Sequence, residues 1–101
     1  MPQAATPLPK RLKSARLRAG LSQKALGIAA GIDEFVASAR MNQYERGIHA
    51  PEYSTVQRLA RVLNVPTAYL YADNDHDAHL LLGFHALTRA EQRKLLASLN
   101  L

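Results

Sequence analysis

The stretch GLSQKALGIAAG, residues 20–31, decides the fold that we expect for this chain of 101 residues. Ser22 suits a helix N-cap, because its hydroxyl can accept a backbone N–H from the first turn. Alanine and leucine side chains then recur at helical spacing as one apolar stripe, which Gly31 ends. We therefore predict a short second helix over residues 22–30.

Helical spacing of apolar residues continues on both sides of this stretch, and it predicts an all-α protein. A first helix is expected over residues 9–19, with Pro9 at its start and Gly20 as a left-handed C-cap. A third helix ends near Met41, Tyr44 and Gly47. A fourth helix is predicted at residues 54–63 with Asn64 as C-cap, and a short turn follows through residues 68–70. Two more helices are predicted, one at residues 76–87 and one that begins with a capping box formed by Thr88 and Glu91.

Positive charge is concentrated in the first part of the chain. Residues 1–72 hold ten Lys and Arg against four Asp and Glu, whereas residues 73–101 hold three against four. Six of the bases lie between Lys10 and Lys24, a pattern that suits a polyanion and equally a solvated helix face. We divide the chain into a flexible N-terminal arm (1–8), a compact domain (9–72) and a C-terminal helical extension (73–101).

Several classes of protein are disfavoured by what the sequence lacks. Without cysteine there are no disulfides and no thiolate zinc sites, which fits a reducing cytoplasm. No apolar run approaches the ~18 residues of a membrane span, so we expect neither export nor insertion. His76 and His79 lie three apart without an evident third metal ligand. We expect no cofactor, no metal and no enzymatic activity, because no catalytic set or Gly-rich phosphate loop is evident.

Residues 20–31, followed by NQYERG at 42–47 and PEYSTVQRLARVLNV at 51–65, resemble the lambda repressor and Cro-like helix-turn-helix family, also called XRE-like. The resemblance covers about residues 9–72 and depends on the order and spacing of its marks. These marks are Leu21, Ser22, Gln23, Glu45, Arg46, Gly47, Leu59, Ala60, Leu63 and Val65. It implies a five-helix DNA-binding domain, here with one or two extra C-terminal helices, in a transcriptional regulator that binds double-stranded DNA.

The resemblance also implies which residues read bases. A helix can enter the major groove of B-DNA, where each base pair presents its own pattern of donors and acceptors. Met41 and Tyr44 are expected to point inward. Arg40 and Gln43 are the strongest candidates for base contacts, since Arg can bridge guanine and Gln can bridge adenine. The full base-facing set is Ser38, Ala39, Arg40, Asn42 and Gln43.

The resemblance also implies residues that contact the phosphate backbone of DNA and residues that position the recognition helix. Gln23 matches a family position that contacts a phosphate and braces that helix, and amides at a helix N-terminus favour the same anion. Arg16 is implied to pair with Glu45, a structural ion pair that would orient the third helix. Further phosphate candidates are Lys13 and Arg46, with Arg11 and Lys24 as weaker ones.

One segment departs from the family pattern. Residues 31–47 are about four residues longer than the usual turn plus recognition helix. The added residues could form an extra helical turn, with Asp33 as cap and with Phe35 and Val36 as apolar anchors. They could instead lengthen the turn, so that the helix begins near Ser38, which we favour. Either way, the acidic side chains in this segment would repel a nearby phosphate.

The leucines of residues 76–101 exceed what a surface helix needs. Proteins of this class usually bind as dimers to two half-sites about 34 Å apart. We therefore expect a homodimer that uses residues 76–101, unless these helices fold back over their own domain. The leading function is a repressor that occupies an operator. The alternatives are an antitoxin-type protein that binds a protein partner through residues 76–101, and a helix-turn-helix interaction module without an operator.

Overall fold

The structure is a computed structural model, and it describes residues 6–101. Every regular element in that range is a helix, so the prediction of an all-α fold is confirmed. The order is α1 (Leu8–Ala19), α2 (Gln23–Ala29), α3 (Ala37–Glu45), α4 (Tyr53–Leu63), a 3₁₀ helix (Thr67–Tyr71), α5 (Asp75–Ala86) and α6 (Arg89–Ser98). Helices α1 to α4 and the 3₁₀ helix correspond to the five helices of the predicted domain, and α5 and α6 are the two extra helices.

Helix α1 begins earlier than its prolines suggested. Pro7 occupies the N-cap, so the helix starts at Leu8, which is 4% exposed and belongs to the core. The predicted arm over residues 1–8 is therefore wrong at Leu8. This side chain is buried in the core, so the helix begins one residue before Pro9. Residues 1–5 of that arm lie outside the described residues. At the other end, Gly20 has a φ of 72°, which confirms the left-handed C-cap.

The added residues between α2 and α3 form a longer turn. Asp33 organises it, because its Oδ2 accepts the Phe35 N–H at 3.0 Å and its backbone carbonyl accepts the Val36 N–H at 3.1 Å. Helix α3 then begins at Ala37, one residue before the position that we favoured. The alternative of an extra helical turn is wrong, and both Phe35 and Val36 are exposed rather than anchored in the core.

Helices α2 and α3 approach each other closely at Gly27. Gly27 has no side chain, and a Cβ added there would lie 3.0 Å from the Cβ of Ala37 and 3.0 Å from the Cγ of Met41. Ala37 fills this small gap, which an aromatic or β-branched residue could not enter. The largest fully buried side chains, which come from five helices, are Leu12, Leu26, Met41, Val56, Leu59 and Leu70.

The two C-terminal helices differ in how they attach to the domain. Helix α5 is anchored by Ala78, which is buried, and by Asp75, whose carboxylate accepts a hydrogen bond of 2.7 Å from Arg11 of α1. Helix α6 has no buried residue, and its capping box is formed as predicted, with Thr88 and Glu91 exchanging hydrogen bonds of 2.8 and 3.1 Å. Across residues 6–101, no helix combines the length and apolar character needed to cross a bilayer.

Candidate nucleic-acid interface

Helix α3 has two sharply different faces. Ala37, Met41 and Tyr44 follow one another at helical spacing and are buried, which confirms the predicted inward direction of Met41 and Tyr44. Ser38, Ala39 and Arg40 are exposed in the first turns of the same helix. The buried face fixes the rotation of α3, so the exposed face has a defined direction toward solvent.

Two further base-reading candidates, Asn42 and Gln43, are half-buried. Gln43 shares a shallow cavity with Arg40, and His49 lies in the same cavity. The backbone carbonyl of Gln43 accepts the Ile48 N–H at 2.9 Å, which folds the loop after α3 back against the helix. His49 thus joins the surface formed by Arg40 and Gln43. Sequence reasoning missed it, although its place four residues after the end of α3 was a signal.

An ion pair clamps the C-terminal end of α3 to α1. Arg16 Nε donates to Glu45 Oε2 at 2.6 Å, and Arg16 Nη2 donates to Glu45 Oε1 at 3.0 Å. The two side chains are only 11% and 3% exposed, so the structure places the implied pair together in a poorly solvated site. The hydrogen bond with Glu45 raises the pKa of Arg16 above its ordinary value. Arg16 Nη1 also donates to the Leu21 carbonyl at 2.9 Å, which ties the α1–α2 turn to the same clamp.

Gln23 extends this clamp from α1 to α2. Its Nε2 donates to Glu45 Oε1 at 3.1 Å and to Asn42 Oδ1 at 3.4 Å. The first residue of α2 thereby holds the last turns of α3, which is the bracing arrangement that the resemblance implied. A phosphate bound by the same amide would compete with the longer bond to Asn42, because the nitrogen has only two hydrogens to donate.

The remaining phosphate candidates divide into two groups. Lys13, Lys24 and Arg46 are exposed, and within residues 6–101 none of them forms a salt bridge. Arg11 is buried instead, and its Nε donates to the Ala72 carbonyl at 3.1 Å while its Nη1 binds Asp75. The prediction of Arg11 as a phosphate ligand is therefore wrong, because its guanidinium is buried and hydrogen-bonded between α1 and the start of α5.

Metal-binding side chains are not clustered in the part of the chain that the structure describes. No group of three or more His, Asp or Glu there could hold a metal ion. His76 and His79 are both exposed on α5. The exposed charged and polar side chains around α3, among them Arg40 and Arg46, suit an extended anionic ligand with hydrogen-bonding edges.

Comparisons with known proteins agree with this geometry. The helix-turn-helix domain family matches residues 8–70, so the chain belongs to that family. The crystal structure of the transcriptional regulator BswR is similar, with 52% sequence identity and a TM-score of 0.85, and the match covers 92% of this chain and 92% of that chain. No curated protein matches the chain. The XRE-like resemblance is confirmed, and the findings support a DNA-binding regulator.

Proposed function

We propose that this protein is a transcriptional repressor that binds a specific sequence of double-stranded DNA as a homodimer. Helix α3 enters the major groove, and Ser38, Ala39, Arg40, Asn42 and Gln43 face the base edges. Binding to an operator then blocks access of RNA polymerase to the promoter. No chemical step is required of the protein, because occupancy of the DNA is itself the regulatory event.

The single observation that carries this proposal is the exposed polar face of a helix whose other face is immobilised. The buried side chains of α3 fix its rotation, and the Arg16–Glu45 pair fixes its far end. Side chains such as Arg40 are thus presented without a large ordering cost on binding, since the backbone that carries them is already in place. Bidentate contacts from such side chains contribute about 1 to 3 kcal/mol of discrimination each.

Exposed lysine and arginine side chains supply the part of the affinity that does not depend on sequence. Lys13, Lys24 and Arg46 are the cations proposed to contact phosphates, and Gln23 adds a neutral donor at the start of α2. Each phosphate that a cation neutralises releases counterions, so binding weakens as salt rises. These contacts set the register of α3 in the groove, whereas the base contacts set the preferred sequence.

The homodimer is supported by exposed leucines in the C-terminal helices. Leu80, Leu99 and Leu101 are 63%, 59% and 84% exposed, and α6 has no buried side chain. A second copy packing against residues 76–101 would cover this apolar surface, which a single chain leaves in water. Two recognition helices held by one dimer would meet half-sites about one DNA turn, or ~34 Å, apart.

The test is a pair of equilibrium titrations with full-length protein at about 150 mM salt. One duplex is selected from a random pool by the protein, and the other is its scrambled form. The proposal predicts a ratio of dissociation constants of about 10³ or more for the scrambled over the selected duplex.

Two variants show whether α3 is the source of that ratio. Arg40→Ala should lower it by about fivefold or more through the loss of a base contact. Arg61→Ala is the matched control, because it removes an exposed cation from α4 and should leave the ratio unchanged. A wild-type ratio near one would contradict the proposal.

A second candidate function is favoured by the same exposed leucines. Residues 76–101 could bind a different protein, as in an antitoxin-type regulator, and DNA binding would then accompany toxin capture. Sedimentation of the purified chain separates the two candidates. A dimer that becomes monomeric on truncation after Leu87, which removes α6 and no buried residue, supports the homodimer, whereas a monomeric full-length chain supports a separate protein partner.

A further inference from the structure

The most exposed aromatic side chain in the described part of the chain lies beside the recognition helix. Phe35 is 89% exposed, whereas Ala37, two residues later, is buried. Isolated apolar residues on a protein surface need no special explanation. Phe35 differs from them by its position, since it lies two residues before Ala37 and thus within about 7 Å of the start of α3 along the chain.

The turn that carries this side chain is well defined. Asp33 accepts the Phe35 N–H through its side chain at 3.0 Å and the Val36 N–H through its backbone at 3.1 Å. The Val36 carbonyl in turn accepts the Arg40 N–H at 2.8 Å, which joins the turn to the first turn of α3. The aromatic ring is therefore presented from ordered backbone, directly ahead of the proposed base-reading residues.

The chemistry of the turn favours base edges over phosphates. Asp33 and Glu34 are both exposed beside the ring, and their carboxylates would be repelled by the phosphate backbone. In helix-turn-helix complexes the N-terminal residues of the recognition helix contact base edges. The apolar feature of the major groove is the C5 methyl group of thymine, and a phenylalanine ring is a suitable contact for it.

We propose that Phe35 is a specificity-determining residue that packs against a thymine methyl group in each half-site. The inference rests on the proposed function, because it requires α3 in the major groove. Removing one buried methyl-sized group costs about fourfold in affinity, which corresponds to about 0.8 kcal/mol. The preference is for thymine over any pyrimidine that lacks the methyl group.

The experiment replaces each thymine of the selected duplex, one at a time, by deoxyuridine. This change removes the methyl group and keeps the base pair. Wild-type full-length protein should bind about fourfold more weakly when a single deoxyuridine replaces the contacted thymine of either half-site. Phe35→Ala should bind the thymine and deoxyuridine duplexes equally at that position, whereas Phe35→Leu, which keeps an apolar side chain, should retain part of the preference.

Leu17→Ala provides the matched control, because Leu17 is also an exposed apolar residue but lies on α1. It should keep the full preference for thymine. Equal thymine preference in Phe35→Ala and wild type, or no thymine preference in wild type, would overturn the inference. So would loss of self-association in Phe35→Ala with unchanged methyl preference, since the ring would then belong to a protein interface.

Failure of this inference and failure of the proposed function give different results. If wild type prefers its selected duplex and Arg40→Ala reduces that preference, the proposed function stands even when Phe35 shows no coupling to a methyl group. If wild type has no preference for any sequence, both are overturned. Thermal unfolding of Phe35→Ala should match wild type, because the exposed ring contributes little to the core.

Discussion

Replacement of Glu45 by alanine should destabilise the protein strongly, although this residue lies at the end of a helix near the surface. Its carboxylate accepts hydrogen bonds from Arg16 Nε, Arg16 Nη2 and Gln23 Nε2. The Glu45 and Arg16 side chains are 3% and 11% exposed. In Glu45→Ala the guanidinium would remain in this site with the Leu21 carbonyl as its one remaining protein acceptor.

The expected magnitude follows from the loss of one partner of a buried pair. Such a loss costs about 3 to 5 kcal/mol, because the remaining charge is desolvated without compensation. For a domain of this size each kcal/mol lowers Tm by about 4 to 8 °C, so a fall of at least about 12 °C is expected. This is a large part of a total stability of about 5 to 15 kcal/mol.

Urea unfolding followed by circular dichroism measures the change in the free energy of unfolding. Glu52→Ala is the matched control, because Glu52 is exposed and its side chain makes no capping bond to α4, so a change below about 0.5 kcal/mol is expected. The double variant Arg16→Met with Glu45→Leu should recover most of the loss, since it removes both charges. A loss below about 1 kcal/mol in Glu45→Ala, the range of an exposed ion pair, would refute the reasoning.

Three further predictions address packing, pH and salt. Gly27→Ala should lower the free energy of unfolding by about 1 to 3 kcal/mol in urea titrations, since the added Cβ would crowd Ala37. Gly83→Ala on α5 is the control: its Cβ would meet nothing within 4 Å, so the free energy of unfolding should rise by about 0.5 to 1 kcal/mol. The hydrogen bond from Arg11 lowers the pKa of Asp75. The ionised carboxylate therefore stabilises the fold at pH values above the ordinary carboxyl pKa of about 3.9, and this stabilisation is lost as pH falls through the lowered pKa. Asp75→Asn should therefore melt below wild type at pH 7, with a difference that narrows below about pH 4. Lys13→Ala should weaken binding to selected and scrambled DNA alike and reduce the slope of log K against log salt by about 1.

Local sequence was sufficient for most of the helices and for the inner face of α3. Caps such as Ser22 and Asn64 act on their own helix ends, so they can be recognised without knowing the tertiary structure. The inward side chains of α3 follow from helical spacing once the end of the helix is placed. These features depend on neighbours a few residues away, which is why the predictions succeeded.

Features that depend on distant partners were not accessible in the same way. Arg11 lies among exposed Lys and Arg residues in the sequence, and nothing in that segment distinguishes it from them. Only the fold brings Asp75, 64 residues further along the chain, against it. The start of α3 was open between two alternatives, because Asp33 could either cap an added helical turn or lie in a longer turn that ends near Ser38. The Ala37 side chain at the start of α3 packs against Gly27 of α2, which is a contact between two helices that local sequence does not show.

The most direct test of the central claim is selection of binding sites from one random DNA pool by wild type and by Gln43→Ala. The claim is that the exposed face of α3 reads base edges in the major groove. It predicts a two-fold symmetric site for wild type and the same site for Gln43→Ala, with the base preference relaxed at one position per half-site. Identical preferences for both proteins, or no enriched sequence for wild type, would contradict it.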